Sequence, residues 1–571
     1  IFSPKGHKYI REYNVDIASS TTYRVGGVVL QKEFLFCHYT NRMLQRYTLL
    51  EAHSRTTLRL SPFLAFRDVK MLTHRNDQYH GDYGQAKSGV TFCLYPGYPT
   101  LYLQLSKAHN FVSDPHWNER IEYVKERERG YEYTEDLYVP GYFEVDIEVG
   151  ESIYFSAGVE EADPDTLAQL FAEERKIRTP REDFRSCLLN AALQFYYRPD
   201  ATHGYLLAGY PWFGVRARDL FIALPGCTIY ADAPERFYRI MDTVLPDMRA
   251  FMRQEGISKE IRNINEGDIG LWAIWTLQEY ARWSSLPDMV SRYGDFLDEL
   301  IHYYLRNVHP NLRIDDNGLC VMTGDGRPLS WMDAKVNGQA VVRREGYLVE
   351  VNALWYNALC FYREALPQKW SPELEELLGR VQQSFCDTFI NQHGYLFDYV
   401  PPHTSWRDWS VRPNMVFATS LPYSPLPKAT RRSVLEIITR ELRTPKGLRS
   451  LSPKSDGYQP QCHGTQWQRE QSYYNGSVWP WLLGPYFEAC IKLYGRSAIS
   501  FIENTLIGME EELQQHGVGT VSELFDGNPP FKGRGAISFA MSVGELLRSL
   551  ALLEEAKSKY DTQILPIIRY E

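Results

Sequence analysis

The 571-residue chain holds nine cysteines, and none forms a Cys-x-x-Cys pair. An odd, scattered set excludes a disulfide framework and a zinc ribbon. It reads as free thiols in a reducing, cytoplasmic compartment. No apolar run is long enough to span a bilayer and no secretory signal is present, so no membrane partner is expected. No long Lys/Arg run occurs either. With 62 basic against 71 acidic residues the net charge is −9, which disfavours nucleic acid as a partner. Asp315-Asp-Asn-Gly318 has a turn's composition, and its spacing fails as a calcium loop. No metal or other cofactor is implied. The chain opens on Ile1 and not Met, as expected if the numbering starts inside a longer or processed product.

Aromatics are abundant: 39 Tyr, 27 Phe and 13 Trp, 14% of the chain. Large cores use many rings. So does a groove for sugars, whose flat C–H faces pack on aromatic faces.

Residues 1–160 read as short strands (Tyr23–Cys37, Met43–Ala52, Thr56–Leu60, Val90–Tyr95, Leu101–Leu105, Tyr142–Val149), which predicts an antiparallel β-sandwich. The charged segment His116–Glu135 is expected as a solvated excursion, and Arg67-Asp68 to face a second domain. Residues 161–180 read as a helical linker with Asp163 as its cap, ending at Thr179-Pro180. From 181 to 571 the periodicity is helical. Twelve helices are predicted near 183–197, 216–224, 234–253, 268–283, 287–306, 346–365, 372–391, 412–421, 428–442, 478–494, 497–515 and 535–556. The even-numbered ones carry nearly continuous apolar runs, such as Leu271-Trp-Ala-Ile-Trp275 and Val478-Trp-Pro-Trp-Leu-Leu483, as helices buried all round do. Six inner and six outer helices make an (α/α)6 toroid. The predicted fold class is thus α+β multidomain, a sandwich followed by this all-α domain; a bundle or solenoid is the competing layout.

In an alternating toroid the loops before the inner helices share one end. They read Gly209–Asp219, Asn263–Asp268, Ser330–Lys335 running on to Glu350-Val-Asn352, Trp406–Asn414, Arg469–Ser477 and Ser522–Asn528. These loops combine rings, acids, amides and arginines, whereas the loops at the other end are short or plain. A polar-aromatic funnel of this kind fits a glycoside site, where two carboxylates flank the scissile bond. Asp219, Glu266, Asp268, Asp333, Glu350, Asp408, Glu470, Glu523 and Asp526 are the candidates, and physics alone does not select the pair. Arg218-Asp219 suits gripping vicinal hydroxyls, and equally suits a salt bridge at a helix start. Trp212 and Trp331 are read as sugar-stacking, and Trp272, Trp355 and Trp409 as inner-ring packing. Trp479 is kept with the substrate-binding set although its run suits a core.

These loops, in order, resemble the amylo-α-1,6-glucosidase part of glycogen debranching enzymes, especially the single-activity bacterial and archaeal type. The matching segments are Gly209-Tyr-Pro-Trp-Phe213, Arg218-Asp219 with Ile222-Ala-Leu-Pro-Gly226, Ser330–Lys335, Val349–Ala358, Val411-Arg-Pro-Asn414, Thr444–Pro453, Gly476–Pro485 and Val521–Gly527. Leu60–Asp68 and Leu72-Thr-His74 look like the family's N-terminal β-domain. The resemblance implies an inverting hydrolase that releases α-1,6-linked glucose from glycogen or limit-dextrin stubs. Asp333 would be the general acid and Glu523 the general base, with Asp333 protonated and Glu523 ionised at working pH. Trp212, Arg218, Asp219, Asp268, Trp331, Lys335, Glu350, Asn352, Arg412, Asn414, Tyr474 and Trp479 would line the sugar. Glycogen, limit dextrin or an α-glucan oligosaccharide is the implied partner. Three departures stand out. Arg216-Ala217 replaces the family's Trp-Gly, Asn475 replaces a His, and the Gly-rich opening segment is absent before Ile1. The first two motivate an alternative, a related exo-α-glucosidase of shifted linkage or sugar. A non-catalytic glucan-binding protein is the remaining alternative.

Overall fold

A computed structural model describes residues 5–561. The chain divides into two compact units, Ile1–Glu182 and Asp183–Glu571.

The first unit contains β1 (Ile10–Val15), β2 (Ser19–Val25), β3 (Val28–Phe36), β4 (Arg42–Glu51), β5 (Thr56–Leu60), β6 (Gly84–Ala86), β7 (Gly89–Phe92), β8 (Leu101–Leu105), β9 (Asn110–Glu122), β10 (Thr134–Ile147) and β11 (Ser152–Gly158). One antiparallel sheet has the order β1-β2-β3-β4-β11-β8-β7-β6 and a second the order β5-β10-β9. Leu49, Phe92, Leu105 and Ile153 of the first sheet share one core with Phe143, Val145 and Ile147 of the second.

Three expectations fail here. Tyr23–Cys37 is not one strand but a hairpin. Gly26 and Gly27 take φ of +54° and +86°, the left-handed pair that a two-residue turn between twisted strands requires. The segment His116–Glu135 is solvated as expected, with no residue before Glu135 buried, but it is no excursion from the sheet. It completes β9, forms the short helix α1 (Val124–Glu128) and opens β10. Its Glu135 is fully buried and is held by Arg67 and Tyr123, so Arg67 has its partner inside this unit. The stretch expected as a linker forms α2 (Leu167–Ile177), entered through a turn capped by Asp163. Leu167 and Phe171 of α2 pack with Leu35 and Leu44 of β3 and β4, which makes this helix part of the first unit.

The second unit is helical: α3 (Phe184–Phe195), α4 (Ala217–Cys227), α5 (Pro234–Met252), α6 (Ile269–Trp283), α7 (Leu286–Leu305), α8 (Val349–Ala365), α9 (Pro372–Phe389), α10 (Phe417–Ser420, preceded by a 3-10 turn), α11 (Lys428–Glu441), α12 (Gln466–Tyr473), α13 (Leu483–Tyr494), α14 (Ile499–Glu510) and α15 (Ala540–Asp561). Among the described residues each of the twelve expected segments is helical, and α12 is additional. Every residue of α4 is buried, as are nearly all of α8, whereas α5, α7, α9 and α11 bury one face. The apolar runs therefore lie inside, as the hydrophobic effect demands. α4 packs on α6, α6 on α8, α8 on α10, α10 on α13 and α13 on α15, and α15 returns to α4. At that last contact Gly226 meets Gly544 so closely that a Cβ on Gly226 would lie 1.9 Å from the Gly544 carbonyl oxygen.

Candidate active site

Asp333 sits on the non-helical segment that follows the Gly324–Gly326 turn, and its side chain is 25% exposed. One carboxylate oxygen accepts a hydrogen bond from Tyr474 Oη at 2.8 Å. The other lies 3.8 Å from Arg216 Nη1. The neighbouring Trp331 anchors this segment. Its Nε1 donates to Asn414 Oδ1 at 2.6 Å, and its ring stands edge-on to Tyr474, Trp479 and Trp481, with centroids 5.2–5.3 Å away. Asn414 in turn donates to Asp398 at 2.8 Å. Beneath lies Arg344, buried, which grips both oxygens of Glu350 at 2.6 and 2.7 Å, Asp398 at 2.6 Å and Ser330 at 3.0 Å. A guanidinium so enclosed fixes the geometry of every carboxylate it touches.

Two expected sugar contacts are corrected by this arrangement. Both oxygens of Glu350 are occupied by Arg344, and the residue is buried. Asn352 is fully buried, and its amide bonds the backbone of Cys320 and Leu348. Glu350 thus supports the segment of Ser330 through Arg344, and Asn352 ties Cys320 to the start of α8.

Glu523 is 1% exposed. It precedes the strand Leu524–Phe525, part of a five-stranded sheet that also takes in Val478–Trp479 and Gly533–Arg534 and so ties three loops together. Gly535, at φ +66°, lets the chain turn back so that the Ala536 N–H donates to Glu523 Oε2 at 2.8 Å. The Tyr473 hydroxyl lies near the same carboxyl and favours its charged form. Burial pushes Glu523 up to about 7, against the opposing pull of Tyr473, Ala536 and the Arg216 charge. An ionised Glu523 is thus not the state its burial favours: close to pH 7 the two protonation states are of similar population.

Arg216 lies between the acids. Its Nη2 donates to Asp219 at 2.6 Å and its guanidinium covers the Phe213 ring at 4.5 Å. Its charge acts on Asp219, Asp333 and Glu523 alike. The expected Arg218-Asp219 grip is split. Arg218 is buried and spends Nε and Nη2 on Asp268, at 2.8 Å each, with Glu266 as a further partner, while Asp219 takes Arg216. Asp268 also accepts from Trp272 Nε1 at 3.2 Å. Burial raises the pKa of Glu266, and Asp333 is among the charges that act on it.

The remaining expected residues fall into distinct roles. Tyr474 stacks on Trp479 at 5.1 Å. Arg412, buried, donates to the carbonyls of Ser450 and Tyr474, at 3.1 and 2.6 Å, and to Asn475 Oδ1 at 3.0 Å; it holds the tyrosine loop in place. Lys335 is exposed and Trp212 half-buried, the latter edge-on to Phe213. Sequence reasoning missed Tyr473, Arg344 and Asp398, which touch or brace the acids. It also treated Arg216 as a lost aromatic when it is a gained cation. The missed helix α12 had one signal: Thr465 and Gln468 form a capping box.

Two carboxylates from separate loops, one partly exposed beside a tyrosine hydroxyl and one buried with its pKa raised, belong to the helical domain. The fold of that domain is shared with a bacterial glucoamylase whose crystal structure was solved in complex with acarbose. The two align at a TM-score of 0.53 and 12% identity over 95% of this chain and 83% of that one. The protein is a glycoside hydrolase. It belongs to the amylo-alpha-1,6-glucosidase family, whose model matches residues 190–548. A model for the N-terminal part of glycogen debranching enzyme matches residues 1–154. No curated protein matches the chain.

Proposed function

We propose that the protein is an inverting glucosidase that releases single α-1,6-linked glucose residues from the branch stubs of glycogen or limit dextrin. Asp333 acts as general acid and Glu523 as general base, in a closed (α/α)6 toroid. The observation that carries this is the Tyr473-Tyr474 pair. Adjacent tyrosines reach the two carboxyls: Tyr474 donates to Asp333, and the Tyr473 hydroxyl favours the charged form of Glu523. The acids therefore border one space from different sides. Inversion needs a separation of about 6.5–9.5 Å, wide enough for a water between base and anomeric carbon. A base whose pKa lies near 7 is matched to neutral working pH. The cyclic packing from α4 round to α15 supports the toroid, and the acarbose-bound glucoamylase of similar fold supports an α-glucan ligand.

In this mechanism the substrate's terminal glucose enters among Arg216, Asp219 and the two acids. Asp333 donates its proton to the glycosidic oxygen as the C–O bond breaks. Glu523 takes a proton from the attacking water, and β-glucose leaves. Arg216 favours a second reading, a shifted linkage or sugar, because a guanidinium stands at the glucose subsite. A panel of α-1,6-, α-1,4- and α,α-linked substrates separates the two readings.

The test is glucose release from phosphorylase-limit dextrin, with the anomer followed by NMR. The parent should yield β-glucose first, and Asp333→Asn and Glu523→Gln should each lose nearly all turnover. Initial α-glucose, or an active Glu523→Gln variant, would overturn the assignment.

A further inference from the structure

The catalytic carboxyls account for one end of α12, and the other end is unexplained. α12 runs from Gln466 to Tyr473 and packs on the strand Lys335–Val336, two residues beyond Asp333. Its residues grow more buried along its length. The first turn (466–468) is exposed, 469–471 are half-buried and Ser472 is buried. Trp467 in that first turn is 60% exposed. Among the described residues no aromatic ring or cation lies against it.

A tryptophan held in water on a structured helix costs solvation free energy that burial would recover, so a face with this geometry calls for a flat apolar ligand. Positions 467, 470 and 474 fall on one stripe at helical spacing. Tyr474 bonds Asp333. Burial raises the pKa of Glu470 and the Asp333 charge adds to it, against the opposing pull of the Lys335 backbone N–H. The stripe therefore begins at the acid and runs outward to Trp467, about 10 Å along the axis at 1.5 Å per residue. That is the scale of a disaccharide. The general acid protonates the leaving-group oxygen. Whatever extends outward past it is therefore the leaving group, here the glucan main chain, and not the glucose to be released.

We infer that Trp467 is a stacking platform for the main-chain glucose units on the leaving-group side of the scissile bond. It makes α12 the element that distinguishes a branched polysaccharide from a small α-glucoside. The inference rests on the glucosidase reading above. The sugar's C–H face lies on the indole, and the exposed Gln466 beside it offers its amide to the hydroxyl edge.

The experiment compares the parent, Trp467→Ala, Trp467→Phe and Trp283→Ala on limit dextrin and on isomaltose. Trp283 is also exposed, at 40%, but it ends α6, about 22 Å along the axis from Asp268. Its loss should change nothing. For Trp467→Ala the KM for limit dextrin should rise about tenfold, equivalent to about 1.4 kcal/mol. The isomaltose KM and both kcat values should hold, and Trp467→Phe should restore most of the affinity. An unchanged limit-dextrin KM would overturn the inference, as would an equal rise for both substrates. Affinity electrophoresis through glycogen reads the platform without turnover. If the parent hydrolyses neither substrate, the glucosidase reading fails. The platform is then still decided by whether Trp467→Ala is retarded less than the parent, which supports it, or equally, which refutes it.

Discussion

Gly535→Ala isolates the position of Glu523 from its chemistry. Gly535 has φ +66°, and a Cβ built on it would lie 2.3 Å from Glu523 Oε2 and 3.0 Å from its carboxyl carbon. Ordinary heavy-atom contact begins near about 3.5 Å, so the carboxyl would have to retreat by roughly 1 Å. It is tethered by the Ala536 N–H on the same segment, at 2.8 Å, and retreat breaks that bond. A misplacement of about 1 Å costs on the order of 100-fold in rate when the group must meet a reacting atom. The left-handed backbone adds a folding cost of about 1–2 kcal/mol for alanine. Gly150→Ala supplies the control for that cost, because Gly150 has φ +84° and nothing within 4 Å of the place its Cβ would take. Both variants should unfold a few degrees below the parent, yet only Gly535→Ala should lose kcat on limit dextrin, by about 100-fold. Parent-like kcat in a folded Gly535→Ala would refute the placement of Glu523 at the reacting water.

Glu523 also gives a stability signature. Its folded value, about 7, lies above that of a free glutamate, so the unfolded chain binds fewer protons between the two values and stability falls as pH rises through that window. Glu523→Gln removes the penalty; it should stabilise the protein by up to about 3 kcal/mol at pH 8 and leave it unchanged at pH 4, as read by denaturant midpoints. The kcat/KM profile should fall on the acid side of about pH 7 as Glu523 gains its proton. Arg216→Gln removes a cation that favours the ionised form, so it should move that limb to higher pH; an unmoved limb would remove Arg216 from the electrostatics of the base. Gly226→Ala forces a Cβ to within 1.9 Å of the Gly544 carbonyl oxygen, backbone against helix, where neither partner can rotate away. It should cost about 3 kcal/mol, and an unchanged unfolding midpoint would argue against close α4–α15 packing.

The helices of the second unit were legible because burial leaves a direct record. A helix enclosed on all sides must be apolar on all sides, and Leu220–Leu224 or Leu271–Trp275 state this without ambiguity. What failed were elements whose order comes from turns or polar bonds. The β2–β3 hairpin was hidden because Gly26-Gly27 interrupts an otherwise continuous pattern by only two residues. The β9–α1 region is solvated, as its charge indicates; what the sequence hid is that Glu135 of β10 is buried, paired by an arginine 68 residues away. The helix α12 (Gln-Trp-Gln-Arg-Glu-Gln-Ser-Tyr) has no apolar period at all; its cap and the tyrosines at its end hold it.

The site shows the same division more sharply. Residue types and loop positions supplied nine acids at one end of the domain and no ground for choosing among them, and only the family resemblance named two. The side-chain partners supply a physical criterion. Asp268 and Glu266 are held by Arg218, Glu350 by Arg344, Asp526 by Arg534 and Asp219 by Arg216. A carboxylate in direct contact with a guanidinium has its oxygens taken up by a fixed fork of donors. Asp333 and Glu523 have hydroxyl and amide donors at hydrogen-bonding distance instead, and Arg216 reaches Asp333 only at 3.8 Å. Those are partners that orient an acid through single hydrogen bonds. Arg218 meets Asp268 from 50 positions away, which no local pattern encodes, whereas Arg216–Asp219, Arg344–Glu350 and Arg534–Asp526 are pairs within eight residues. The arginines that look like substrate ligands in the sequence thus have a second function in the structure: they hold five of the nine acids in place, and the choice of Asp333 and Glu523 among the rest belongs to the mechanism proposed above.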